Sequence, residues 1–86
     1  GLVAGPHGFR SAHERRLGFE DALREADITV PRSYFTDGTY RFNSGQQAGE
    51  RLLDLLPRPT AIFCSNDEMA AGVDYWLDMA DPFPEW

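Results

Sequence analysis

The fold is decided by residues 58–72, which read R-P-T-A-I-F-C-S-N-D-E-M-A-A-G. Within them, residues 60–64 form a β-branched and aromatic run, which is typical of a buried strand. Apolar residues then recur at the spacing of one helix face, as Met69, Val73, Trp76, Leu77 and Ala80. The pattern therefore predicts a buried strand that leads directly into an amphipathic helix.

Two further strand–helix units are predicted upstream of this stretch. Residues 2–4 indicate a short buried strand that ends at Gly5, and residues 33–36 indicate a second strand before the turn at Asp37 and Gly38. The helix after the first strand begins near Ala12, and the next begins at Asn43 or Ser44 and ends at Pro57. Their apolar faces are Ala12, Phe19, Leu23 and Ala26, and Ala48, Leu52, Leu55 and Leu56.

Each of the three helices is preceded by a serine that has Glu or Gln three residues later. This spacing predicts a capping box at each helix start. The pairs are Ser11 with Glu14, Ser44 with Gln47, and Ser65 with Glu68.

The element order β-α-β-α-β-α predicts an α/β fold with three layers, in which a parallel sheet carries helices on both faces. Right-handed crossovers place the first strand between the second and the third. Ligands of such sheets bind at the carboxyl ends of the strands. We therefore expect functional residues in loops 5–11, 36–44 and 64–67.

Length and charge limit what the chain can do by itself. Its 86 residues allow one small domain, and its formal net charge is −6. All eight basic residues are arginines, and residues 59–86 contain six acidic residues and no basic one. This balance disfavours binding to nucleic acid or to an anionic membrane, and no apolar run approaches the roughly 20 residues of a membrane span. The single cysteine, Cys64, excludes an internal disulfide and fits a reducing compartment.

Arg15 lies on the apolar stripe of the first helix, between Ala12 and Phe19. An arginine at such a place needs a polar partner beyond the sheet edge. The partner is either a polar ligand, bound by the guanidinium fork, or an acidic residue of the chain such as Asp67. Arg16 has an acidic residue four positions on, at Glu20, and is expected to be solvated.

Two uncharged residues of the edge loops also have two interpretations each. Asn66 either caps the third helix or offers a donor and an acceptor to a ligand, such as a sugar hydroxyl or a base edge. Tyr40 offers a flat apolar face with a hydroxyl, or it covers a helix end at the surface.

Signals of catalysis are thin. Neither Gly-rich phosphate motif occurs, no serine lies in a G-x-S-x-G turn, and His7, His13 and Cys64 do not have the spacing of a zinc site. A triad of Ser11, His7 and Asp67 can be drawn, but such residues occur in most chains. We expect no enzyme, no cofactor and no metal.

Three segments in the order and spacing of the chain resemble one protein family. Residues 15–23 resemble its R-x-x-G-F…A-L segment, and residues 37–45 resemble its G-D-[YFW]…S-G segment with Asp and Gly transposed. Residues 58–72 resemble its R-P-T-A-[IV]-F-x-x-N-D-x-M-A-x-G segment, which is long and specific. The family is the lactose-repressor family of bacterial transcription regulators, whose fold periplasmic sugar-binding proteins share.

The resemblance implies an effector domain of the periplasmic-binding-protein-like fold, which binds sugars or purines between two lobes. Residues 1–80 would form most of the C-terminal lobe, and residues 81–86 an irregular tail. The implied effector-binding residues are Arg15, Tyr40 and Asn66, with His7, Ser65 and Asp67 as supporting residues of the cleft.

The resemblance also implies a cytoplasmic homodimer that binds operator DNA through a separate domain not contained in these residues. The implied dimer contacts, on the second and third helices, are Phe42, Met69, Ala70 and Tyr75. After Val73 the chain departs from the family, which continues into a strand with G-[FY]-D-D. A periplasmic sugar-binding protein and a structural remnant that binds no ligand are the alternatives.

Overall fold

A computed structural model describes residues 1–80. The elements are β1 Leu2–Ala4, α1 Arg10–Glu25, a 3-10 turn Arg32–Tyr34, β2 Phe35–Asp37, α2 Phe42–Leu53, β3 Phe63–Cys64 and α3 Asp67–Ala80. Their order is the predicted alternation of strands and helices. The tail predicted at residues 81–86 lies outside this described part. No helix within residues 1–80 is long and apolar enough to cross a membrane.

The sheet has the predicted topology. β1 lies in the centre, in the order β2-β1-β3, and pairs in parallel with both neighbours. Leu2 is in register with Phe35 on one side and with Phe63 on the other. The side chains of these three residues therefore share one face of the sheet, and the side chain of Val3 lies on the other.

The two faces are covered unequally. On the face of Val3, α2 and α3 pack together and enclose the core, whose buried members are Val3, Ala48, Leu52, Met69 and Val73. On the opposite face α1 covers the sheet mainly through Phe19, which stacks on Phe63 at 5.6 Å and meets the edge of Phe35 at 5.9 Å. Of the four residues predicted for the α1 apolar face, Ala12 is buried and Ala26 is exposed.

Several predicted boundaries are wrong by a few residues. β2 begins at Phe35 because the 3-10 turn occupies the start of the predicted strand. β3 has two residues, which pair with Leu2 and Val3 of β1. α2 ends at Leu53, so Leu56 lies beyond the helix and is 91% exposed instead of packing on its apolar face.

None of the predicted capping boxes forms. Phe9 and Arg41, the N-cap residues of α1 and α2, make no side-chain cap bond. The Ser44 hydroxyl, in the first turn of α2, instead accepts from the Thr39 N–H and donates to the Arg41 carbonyl. α3 is capped by Asn66, whose Oδ1 accepts the Met69 N–H at 3.0 Å. The i, i+3 pattern marked the helix starts correctly to within a few residues but named the wrong caps.

Two glycines set the distance between α2 and α3. A Cβ at Gly45 would overlap the backbone carbonyl of Met69, and a Cβ at Gly72 would overlap the carbonyl of Phe42. The obstacles are backbone atoms of the neighbouring helix, which cannot rotate away as a side chain can. Both positions therefore require glycine for steric reasons.

We predict opposite effects for two glycine-to-alanine substitutions. Gly45→Ala forces α2 away from α3 and should lower the free energy of unfolding by about 3 kcal/mol, the upper range for overpacking. Gly18→Ala, in α1, meets no atom within 4 Å and should raise it by about 0.5–1 kcal/mol. Urea unfolding followed by circular dichroism measures both, and equal effects would contradict the packing described.

Candidate functional site

The loops after the three strands meet at the carboxyl edge of the sheet, as the parallel topology requires. The loop after β2 is tied to the end of β1 because the Gly38 N–H donates to the Ala4 carbonyl at 2.6 Å. This bond turns the chain back across the sheet edge. Tyr40 is thereby brought over β1 and toward the end of β3.

Tyr40 is held at this edge by contacts from two directions. Its ring lies against Gly5, where a Cβ would stand 2.5 Å from Cε1, and packs edge to face with Phe9 at 5.7 Å between centroids. Its hydroxyl forms a hydrogen bond of 2.9 Å with the hydroxyl of Ser11. Its backbone has φ of +71°, a left-handed conformation that costs a residue other than glycine about 1–2 kcal/mol. The surrounding contacts must offset that cost.

Asn66 caps α3, which is one of its two interpretations from sequence, and it forms a second hydrogen bond within the chain. Its Oδ1 caps α3, and its Nδ2 donates to the Tyr40 carbonyl at 2.9 Å. The amide retains one further N–H and one further lone pair, which suffice for a pair of hydrogen bonds to a ligand. The capping and binding interpretations are therefore compatible.

Arg15 reaches across from α1 to the end of β3. Its Nη1 donates to the backbone carbonyl of Ser65 at 2.8 Å, and among residues 1–80 it forms no ion pair with Asp67. The guanidinium keeps further donors, since only one of its five N–H groups is used in that bond. Arg16 points elsewhere, with its Cζ 5.3 Å from the centroid of the Phe35 ring and its Nε 4.0 Å from Glu20.

The supporting residues are distributed along the same edge. His7 Nε2 and Asp37 Oδ2 lie 2.8 Å apart, which joins the loops after β1 and β2. Ser65 is buried, and its Oγ has no hydrogen-bond partner in the described chain. Asp67 is exposed at the first position of α3. A cavity of about 300 Å³ opens beside His7. It lies between α1 and the loop that follows β1, and Arg16 is one of its lining residues.

The edge holds no arrangement typical of catalysis. Ser11 bonds to Tyr40 and His7 to Asp37, so the triad drawn from sequence is not assembled. Burial raises the pKa of the Cys64 thiol. Residues 1–80 contain no cluster of His, Cys, Asp or Glu that suits a metal ion. What the edge offers is hydrogen bonding beside an aromatic face.

Sequence reasoning missed three contributors to this edge. Ser11 was interpreted only as a helix cap and catalytic candidate, and Phe9 only as a loop residue. Glu68 was assigned to a capping box, but its Oε2 accepts the N–H of Phe42 at 2.9 Å. Ser11 and Phe9 lie in loop 5–11, where functional residues are expected, so the sequence could have indicated them. The Glu68 contact could not be found in this way, because it joins residues 26 positions apart.

The residues expected at a dimer surface divide into two groups. Phe42 and Tyr75 are partly exposed and pack edge to face at 5.8 Å between ring centroids, and Ala70 is exposed. Met69 was wrongly placed among them: its side chain is 0% exposed and belongs to the core between α2 and α3. The apolar stripe of α3 correctly predicts that Met69 belongs to the core, whereas the family resemblance implies that it lies at a dimer surface.

The architecture is that of one lobe of a periplasmic-binding-protein-like domain. It consists of a parallel sheet with helices on both faces and polar loops at its carboxyl edge. Residues 1–81 match the family model of the periplasmic binding protein-like domain. The chain belongs to this family, and its relatives are transcription regulators of the lactose-repressor type and not enzymes.

Three relatives illustrate the similarity. The probable HTH-type transcriptional repressor ExuR of Bacillus subtilis is 45% identical over 71 residues, which are 83% of this chain and 21% of the repressor. The structure of a putative LacI transcriptional regulator from Bacillus cereus has a TM-score of 0.88 at 34% identity and matches 93% of this chain and 28% of its own. A complex of the regulator CelR with cellobiose has a TM-score of 0.87 at 28% identity and matches 93% and 24%. The chain thus spans about a fifth of the length of the curated relatives it matches.

We predict that Asn66 contributes to stability independently of any ligand. Asn66→Ala removes the α3 cap and the bond to the Tyr40 carbonyl, and should lower the free energy of unfolding by about 1–3 kcal/mol. Asp67→Ala, one residue on, removes only an exposed charge near the helix start and should cost about 0.5 kcal/mol. Urea unfolding of the two variants compares them. Equal losses would show that the two Asn66 bonds contribute little.

Proposed function

We propose that this chain is the effector-sensing part of a bacterial transcription regulator, and that its carboxyl edge forms one side of a small-molecule cleft. The observation that carries the proposal is that hydrogen bonds to backbone carbonyls link Arg15, Tyr40 and Asn66 at the carboxyl edge. Arg15 bonds to the carbonyl of Ser65, the residue before Asn66, and Asn66 bonds to the carbonyl of Tyr40. All three side chains retain hydrogen-bonding capacity.

The chemistry of the edge favours a compact, polyhydroxylated or heterocyclic effector. Arg15 supplies donors, Asn66 supplies a donor and an acceptor, and the rings of Tyr40 and Phe9 supply an apolar face. A flat ring with polar substituents, such as a sugar or a nucleobase, has matching features. The relative seen in complex with cellobiose supports a sugar.

Residues 1–80 are proposed to be most of the C-terminal lobe of the effector domain, with His7, Ser65 and Asp67 beside the ligand-binding residues. The net charge of −6 disfavours binding of this chain to nucleic acid, so operator DNA would be bound by a separate domain. A regulator of this kind acts in the cytoplasm, where its operator is. The relatives named as repressors support this assignment over a periplasmic transport component.

A single side of a cleft should bind its effector weakly. Ligand sites work by enclosing most of the ligand surface, and the entropic cost of association is similar whether one side or two are present. A site of about −8 kcal/mol that loses half its contacts falls toward −4 kcal/mol, a dissociation constant near 1 mM. Binding by the chain should therefore be measured at millimolar ligand concentration.

We predict that Arg15 and not Arg16 determines effector affinity. In NMR titrations with mono- and disaccharides, nucleosides and purine bases, a binding compound should shift the amide signals of residues 15, 40 and 66. Arg15→Ala should weaken that binding about 10- to 150-fold, the range for hydrogen bonds to a charged group. Arg16→Ala is the matched control and should bind normally.

Two results would contradict this assignment. One is an Arg15→Ala variant that binds the compound as the unchanged chain does. The other is a set of shifted signals confined to the Arg16 side of α1, which would move the site to the cavity beside His7.

We further propose that the chain forms homodimers through the exposed parts of α2 and α3. Phe42, Ala70 and Tyr75 lie on this surface, and the paired rings of Phe42 and Tyr75 give it an apolar centre. This follows the resemblance, and Met69 is not part of it.

We predict that a charge in this surface abolishes self-association. Tyr75→Asp should leave a monomer in sedimentation velocity runs at high micromolar concentration, since an unpaired carboxylate is costly to bury. Leu17→Asp on α1 is a matched control, because Leu17 is 45% and Tyr75 47% exposed. A monomeric unchanged chain, or an equal effect of both substitutions, would contradict the proposed dimer surface.

A further inference from the structure

We propose that Glu68 is a positioning residue for Tyr40: its carboxylate holds the backbone of residues 40–42 and thereby keeps the Tyr40 ring at the carboxyl edge. The inference rests on the proposed function, because Tyr40 is the aromatic residue of the proposed effector site. It assigns a role in that site to a side chain whose hydrogen bond goes to the backbone N–H of Phe42, two residues after Tyr40.

The start of α2 depends on a residue from another helix. The first N–H groups of a helix have no partner inside it and are usually satisfied by the N-cap side chain. At α2 the N-cap residue is Arg41, which makes no such bond. The N–H of Phe42 is bonded instead to Glu68 Oε2 at 2.9 Å, and Arg41 Nε lies 3.5 Å from the same oxygen. Glu68 therefore caps α2 from α3.

The segment that Glu68 holds is the one that carries the left-handed Tyr40. Asn66 donates to the Tyr40 carbonyl at 2.9 Å, and Glu68 accepts the N–H two residues later. Asn66 and Glu68, at the start of α3, therefore form hydrogen bonds to both ends of the segment 40–42. A φ of +71° is unfavourable for an aromatic residue and persists only when its surroundings impose it. Loss of one of these bonds should let the backbone relax and move the ring away from Gly5.

Glu68 is the better residue to test because it has few other roles in the structure. Asn66 also caps α3, so its loss changes the helix as well as Tyr40. The Glu68 side chain is 45% exposed and lies outside the core. The contact of α2 with α3 is set by backbone packing at Gly45 and Gly72, which a change at position 68 leaves in place.

The test is made by NMR on the ligand-free chain with three variants. Glu68→Ala removes the acceptor, Glu68→Gln keeps an oxygen for the Phe42 N–H, and Asp74→Ala removes an exposed carboxylate elsewhere on α3. The first readout is the nuclear Overhauser effect between the Gly5 Hα protons and the Tyr40 ring. The second is the hydrogen-exchange rate of the Phe42 amide.

We expect Glu68→Ala to lose the Overhauser effect and to exchange the Phe42 amide at least about tenfold faster, since a hydrogen-bonded amide exchanges only when its bond opens. Glu68→Gln should restore both readouts, and Asp74→Ala should leave both unchanged. A Glu68→Ala variant that keeps the Gly5 contact would overturn the proposal. So would an unfolded Glu68→Ala variant, or a Glu68→Gln variant that behaves like it.

The outcome is independent of the proposed function because no effector is present. If the chain binds no compound of the titration panel but Glu68→Ala displaces Tyr40, the positioning role holds and the effector site does not. If Glu68→Ala leaves Tyr40 in place while effector binding depends on Arg15, the effector site holds and the positioning role does not.

Discussion

The close contact between α2 and α3 is the constraint on which the carboxyl edge depends. Gly45 and Gly72 let the two helix backbones meet without intervening side chains. The start of α3 is therefore near enough to the start of α2 for Asn66 and Glu68 to bond to residues 40–42. A wider spacing would put those backbone groups out of hydrogen-bond reach. The geometry of the edge is thus a consequence of packing some distance behind it.

The parts of the structure that the sequence predicts are those encoded locally. The apolar run of residues 2–4, the stripe of α3 and the alternation of elements lead to the correct sheet order, because crossover handedness leaves few choices. The motif at residues 58–72 identifies the family directly. Boundaries differ where the chain forms a local turn: the 3-10 turn Arg32–Tyr34 occupies the start of the stretch predicted as the second strand.

The caps could not be predicted because they are contacts between distant residues. The i, i+3 rule examines one helix at a time, whereas the acceptor for the Phe42 N–H comes from position 68. Asn66 shows the same limit, since sequence gives its chemistry but not that its two polar atoms face different elements. Arg16, which is expected from its spacing to be solvated, instead packs its guanidinium on the Phe35 ring. For the candidate site, the edge location follows from spacing. The bonds that hold Arg15, Tyr40 and Asn66 in place do not.

The edge cluster is held unequally from the two faces of the sheet. Asn66 and the backbone of Tyr40 are fixed from the side of α2 and α3, whereas the Tyr40 ring and hydroxyl contact Phe9 and Ser11 on the side of α1. Arg15 comes from α1, whose contact with the sheet rests largely on the Phe19 ring between Phe35 and Phe63, and its guanidinium has one backbone bond to Ser65. A single bond to a neutral carbonyl is easily exchanged for bonds to a ligand. The proposed site therefore joins an aromatic and amide surface, held by several hydrogen bonds, to a guanidinium held by a single backbone bond.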